Sequence, residues 1–192
     1  MTRLHLIRHG PTHAKAMVGW SDLPADLSDE AALNRLHDCL PLDAVVVSSD
    51  LSRATDTADA IARSRQRLPH DPGLREINFG AWELRRFQEV EAEDPALIRA
   101  YWETPGDVRA PDGESWHDVT ARVDAVIDRL IAEYRGHDVV VVAHFGVILT
   151  QIQRATGISA VEAFGHRIDN LSLTEVTHVG PGWRLGRVNH LA

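Results

Sequence analysis

The chain has 192 residues, 44% hydrophobic and 25% charged, which suits one globular domain large enough to bury a core. Its 28 acidic residues outnumber 20 basic ones, for a net charge of -8. That excludes general affinity for nucleic acid or anionic membrane, so any anion site must be a local cluster of cations.

Cys39 is the only cysteine, so neither an intramolecular disulfide nor a thiolate zinc site can form, and a reducing compartment fits. No apolar run approaches the ~20 residues of a membrane span, and the N-terminal run is too short for a secretory signal. A soluble, cytoplasmic protein is expected.

Taken in chain order, Leu4 to Ile7 reads as a strand, and Ala31 to Leu40 as a helix. Ala44-Val45-Val46-Val47, between Pro41 and Ser48-Ser49, is a second strand. Leu51, Ala54, Ala58, Ile61 and Ala62 then recur at helical spacing. The middle region has less pattern, and residues 84–112, with a loop rich in Pro and Gly from Pro105 to Gly113, are expected to form a small helical cap.

Ser115-x-x-Asp118 is a capping box that opens a long helix with its apolar stripe from Trp116 to Tyr134. Val139 to Ala143 is a third strand, and a helix follows from Gly146 to about Ala155. Leu171 to Val176 and Trp183 to Val188 alternate around Gly180-Pro181-Gly182 and predict a hairpin. Runs apolar on every side belong to strands buried on both faces. The fold expected over residues 1–192 is therefore a single α/β domain: a three-layer αβα sandwich with a mainly parallel sheet and an antiparallel C-terminal hairpin or edge.

In such sheets, sites form beyond the carboxyl ends of the strands. The first strand ends in Arg8-His9-Gly10-Pro11-Thr12, the second leads through Ser48-Ser49 to Arg53, and the third ends in His144-Phe145-Gly146. If these strands are neighbours, two arginines and two histidines meet in one volume. A phosphate dianion would compensate that charge, because guanidinium forks match its oxygens and helix N-termini favour anions. Gly10 would let the backbone turn and approach a ligand closely.

The histidines suggest chemistry as well as binding. Neutral imidazole is a nucleophile towards phosphorus, and nearby arginines should lower its pKa and keep it neutral. A carboxyl group must then protonate the leaving oxygen and later activate water. Glu76 is the candidate, with Glu83, Glu89 and Glu114 as its rivals.

These residues resemble the histidine phosphatase superfamily, the phosphoglycerate mutase-like fold. Arg8-His9-Gly10-Pro11-Thr12 is similar to its Arg-His-Gly-x-Thr motif. Ser48-Ser49-Asp50-Leu51-Ser52-Arg53-Ala54, with Thr57-Ala58, resembles a second motif, and Leu74-Arg75-Glu76 to Gly80-Ala81-Trp82-Glu83 a third. Gly113-Glu114-Ser115 and Ala143-His144-x-Gly146 match later signatures, all in order from Leu4 to about Val176.

The resemblance implies that His9 is the phosphorylated nucleophile, that Arg8, Arg53 and His144 hold the phosphoryl group, and that Glu76 is the proton donor. It also implies that the Phe145 N–H faces phosphate, that Thr12 and Lys15 lie by the substrate, and that no metal or organic cofactor takes part. Lys15 stands where many members have Asn, and Leu84 follows Trp82-Glu83 where the family has Gly. The 67 residues between Glu76 and His144 favour the small phosphatase branch over the mutases, which carry a longer insertion.

His5, His9 and His13 have the spacing of a helical metal site, but the strand reading keeps them off one face. Trp20, in a loop after the first motif, is a candidate substrate contact. The function expected is metal-independent hydrolysis of a small phosphomonoester, of histidine acid phosphatase type. The alternatives are α-ribazole phosphatase specifically, a cofactor-dependent phosphoglycerate mutase, or a phosphate-binding module without turnover.

Overall fold

The computed structural model describes all 192 residues. The apolar runs form the sheet, from strands β1 (Thr2–Arg8), β2 (Val45–Ser48), β3 (Asp138–Ala143), β4 (Leu173–Val179) and β5 (Gly182–Leu185). Their order is β2-β3-β1-β4-β5. β3 pairs in parallel with both β1 and β2, whereas β4 is antiparallel to β1 and to β5. The register sets Arg8 beside Ala143 and Ser48 beside Val142. Three parallel strands thus end at one edge of the sheet.

Helices α1 (Glu30–Asp38) and α2 (Ser52–Ala62) cover one face, packing Leu33, Leu36, Ala58 and Ile61 on Ile7, Val46, Val140 and Val142. Helices α5 (Trp116–Glu133) and α6 (Phe145–Thr156) cover the other, packing Val123, Ile127, Ile148 and Ile152 on Leu4, Leu6, Val139 and Val141. Alternate strand residues supply the two faces, which is why the valine runs carry no polar side. This is the three-layer αβα arrangement expected. No helix is long and apolar enough to cross a membrane.

The middle region folds into α3 (Phe87–Glu93) and α4 (Pro95–Glu103), which pack on each other and bury Val90, Ile98 and Tyr101. Asp94 caps α4 through the Leu97 N–H, with Pro95 in the first turn. A short helix, α7 (Ala160–Phe164), carries its own capping box from Ser159 to Glu162 and was not read from the sequence.

The C-terminal hairpin differs in extent from the expectation. β4 begins after Leu171, which has φ +59°, and regular β5 stops at Leu185. Beyond it, Glu175 pairs with two successive residues: Gly186 N–H donates to its carbonyl, and its own N–H donates to the Arg187 carbonyl. Two residues against one is the pairing of a bulge; it interrupts the ladder, which resumes where Leu173 and His190 exchange both backbone bonds.

The turn after Trp82-Glu83 is kept without glycine. Leu84 has φ +62°, its side chain is exposed, and its N–H donates to the Met17 carbonyl at 2.8 Å. A leucine there costs about 1–2 kcal/mol of backbone strain.

Candidate active site

The parallel strand ends deliver their cations to one place. A cavity of about 250 Å³ is lined by Arg8, His9, Thr12, Arg53, Glu76 and Phe145, with apolar neighbours. His144 lies behind His9, their ring centroids 5.1 Å apart.

Local hydrogen bonds explain the first two motifs. Thr57 Oγ1 accepts from the Gly10 N–H at 2.9 Å and donates to the Arg53 carbonyl at 2.7 Å, tying the β1 end to α2. Asn170 Nδ2 donates to the His9 carbonyl at 2.8 Å. Gly10 faces away from the cavity: a Cβ there would lie 2.6 Å from Leu27 Cδ2 and 3.2 Å from the Asp26 carbonyl. Its smallness serves the packing of the 25–27 segment, a correction to the ligand approach expected from sequence.

His9 is buried, and its Nδ1 lies 2.6 Å from the Gly10 carbonyl, which can only accept. Nδ1 therefore carries the proton, and in the neutral ring Nε2 holds the lone pair. Burial is the main reason the ring's pKa falls to about 3, with Arg53 and Arg8 adding to it. The arginines act in the expected direction, but desolvation is the larger cause.

His144 is fully buried, neither ring nitrogen has a partner, and burial followed by the His9 charge holds its pKa well below the ordinary value. Arg53 is buried and donates to the Gly19 carbonyl at 2.6 Å and the Ser21 carbonyl at 2.8 Å. Arg8 donates to the Ile168 carbonyl at 2.6 Å, and its buried Nε has no partner.

Glu76 is the carboxyl group of this cavity. Its Oε1 accepts from the Ile77 and Gly146 N–H groups, each at 3.0 Å. Burial raises its pKa against those two bonds and the arginine charges, which favours a protonated carboxyl. Gly146 is required by closeness, since a Cβ there would sit 2.4 Å from Glu76 Oε1. The rivals are turned elsewhere. Glu83 accepts from the Gly19, Trp20, Ser21 and Phe79 N–H groups. Glu89 completes the capping box of α3, and Glu114 pairs with Arg122.

Several positioning residues escaped the sequence reading. Arg122 donates to the Gly73, Arg75 and Glu76 carbonyls at 2.8–2.9 Å, and Arg75 makes two bonds to Asp50 at 2.6 and 2.7 Å. These fix the backbone that carries Glu76. Trp20 does not line the cavity: its indole donates to the Glu76 carbonyl at 2.9 Å, and the Arg75 guanidinium stacks on it. Lys15 borders an adjoining cleft of about 390 Å³ with Arg8, His9 and Thr12. His5 and His13 sit apart, on Asp138 and Asp26.

The low pKa of His9 ties stability to pH. Above the ordinary histidine value of about 6.5, the ring is neutral both folded and unfolded. As pH falls from there towards 3, the unfolded chain binds a proton that the folded chain refuses, so stability drops, by about 1.4 kcal/mol per pH unit for one such group. Denaturant titrations between about pH 6 and pH 4 should show this slope, reduced by about one proton in His9→Gln. An unchanged slope would place His9 in contact with solvent.

A family model described as "Histidine phosphatase superfamily (branch 1)" matches residues 4–191. A Mycobacterium tuberculosis relative named bifunctional protein Rv2228c is 34% identical over 187 residues, covering 90% of this chain. The chain spans about half of that relative's length, 49%. The Salmonella typhimurium adenosylcobalamin/alpha-ribazole phosphatase is 33% identical over 175 residues, 87% of this chain and 86% of that protein. Among solved structures, a mycobacterial glucosyl-3-phosphoglycerate phosphatase superposes with a TM-score of 0.84 at 27% identity, covering 99% of both chains.

Proposed function

This chain belongs to the histidine phosphatase superfamily, and from that premise we propose that it hydrolyses a small phosphomonoester through a phosphohistidine at His9. One observation carries the reading. Buried nitrogens that lack any partner occur beside the nucleophile: Arg8, whose Nε has none, lines the cavity with His9, and the His144 ring, with neither nitrogen partnered, lies 5.1 Å from the His9 ring. Such groups are costly unless a ligand accepts from them, and phosphate oxygens would.

His9 Nε2 attacks phosphorus while the bond to the leaving oxygen breaks, and the Glu76 carboxyl gives that oxygen its proton. Arg8, Arg53, the N–H of neutral His144 and the Phe145 N–H stabilise the equatorial oxygens. Glu76, now a carboxylate, then takes a proton from water as its oxygen attacks phosphorus. The P–N bond breaks, releasing phosphate, neutral His9 and a reprotonated Glu76. In this reading the arginine side chains supply the charge that a metal would otherwise supply, so no step calls for one. α-Ribazole phosphate is one substrate to test, given the 33% identical relative.

Quenching with alkaline detergent during turnover of a radiolabelled phosphomonoester in excess EDTA tests the reading. Label should be recovered on His9 with the acid lability and alkali stability of phosphohistidine. Turnover that vanishes with EDTA, or that proceeds with no label on His9, would overturn it.

A further inference from the structure

We infer that the leaving-group side of the cavity is built for a neutral, largely apolar alcohol or phenol bearing one hydrogen-bond acceptor, with Trp102 Nε1 as the donor that selects it. The inference rests on the phosphohistidine reading. In that mechanism the attacking nitrogen, phosphorus and leaving oxygen lie roughly in line, and the proton donor must reach the leaving oxygen. The leaving group therefore extends on the Glu76 side.

Apart from the phosphoryl clamp, Glu76, Thr12 and one indole, the cavity lining is apolar. Ala16, Met17, Val18, Phe79, Trp102 and Phe145 line the cavity with Glu76. Its cations are Arg8 and Arg53, both assigned with His9 to the phosphoryl group. Lys15 borders the neighbouring cleft, to which Glu76 does not contribute. A second anionic group on the substrate would face Glu76 and hydrocarbon, and its desolvation would go uncompensated.

Beside Thr12, which also borders the Lys15 cleft, Trp102 carries the one polar side-chain group not yet given a role in this lining. Trp102 Nε1 is buried with no partner, whereas the Trp20 indole donates to the Glu76 carbonyl and the Trp116 indole to Gln153 Oε1. Trp102 sits on α4, and its ring is fixed by Phe79, Tyr101 and Phe164 at centroid distances of 6.0, 5.2 and 5.6 Å. A rigid, unpaired donor rejects a leaving group that cannot accept from it.

The test compares kcat/KM for 3-acetylphenyl phosphate, 3-chlorophenyl phosphate and 3-phosphoglycerate in EDTA, with phosphoenzyme trapping on each. The two phenols are of similar acidity, but only the first carries a strong acceptor. The native chain should prefer the acetyl ester about tenfold, and Trp102→Phe should bring that ratio to about one. Phosphoglycerate should fall about 100-fold or more below the acetyl ester. A ratio untouched by Trp102→Phe, an equal loss on both aryl esters, or phosphoglycerate used as well as they are, would overturn the inference while a labelled His9 keeps the reading beneath it. If none of the three labels His9, both fall together.

Discussion

His9→Ala is expected to lower turnover by about 10⁴-fold or more, because a nucleophile working as a unit with its acid and its clamp leaves little behind when removed. The same variant should still bind inorganic phosphate within about tenfold, since each phosphate contact of this kind contributes a limited share. Arg8, Arg53 and His144 hold their places through bonds that do not involve the His9 ring: Ile168, Gly19 and Ser21 carbonyls fix the arginines, and the end of β3 fixes His144. Steady-state assays with 4-nitrophenyl phosphate and calorimetric titration with phosphate check the two halves. Equal turnover in both proteins would remove His9 as nucleophile. Strong phosphate binding without turnover in the native chain would leave a binding module, the alternative from outside enzymology.

The strand ends make this site legible in the sequence. Valine runs without polar alternation gave buried parallel strands, and their carboxyl ends carried Arg8, His9, Arg53 and His144. The register of β1 on β3 and β2 on β3 places those ends side by side. What pattern could not give was the second layer of support. Arg122 and Glu83 act on backbone carbonyls and N–H groups contributed by distant segments. On the sequence, Arg122 is one more charge on the polar side of an amphipathic helix. Trp20 follows the same rule: a loop tryptophan reads as a substrate contact, and here its indole N–H goes to the Glu76 carbonyl. The left-handed Leu84 carries no composition signal, because that conformation is usually marked by glycine and is not here, whereas the bulge opposite Glu175 does contain a glycine, Gly186.

Glu76→Gln separates the two halves of the proposed cycle. Glutamine can still accept the Ile77 and Gly146 N–H bonds that orient Glu76, but it has no proton to give. With an alkyl phosphate, whose leaving oxygen needs that proton, kcat/KM should fall by about 10²–10⁴-fold. With 4-nitrophenyl phosphate the leaving oxygen departs as a stable anion, so kcat/KM should fall by less than about tenfold. Water attack on phosphohistidine still lacks its base, so kcat should fall with both esters. The phosphoenzyme then accumulates, and a burst of one nitrophenol per site precedes slow turnover. pH adds an independent readout. Burial raises the Glu76 pKa, and the protonated form is the active acid. In the native chain kcat/KM for the alkyl ester should decline as pH rises through that raised value, and Glu76→Gln should lose this limb. His9 stays neutral down to about 3, so it adds no acid limb above that pH. Equal losses on both esters with no burst would mean that Glu76 only holds the α6 N-terminus against the cavity, and that the proton comes from another group.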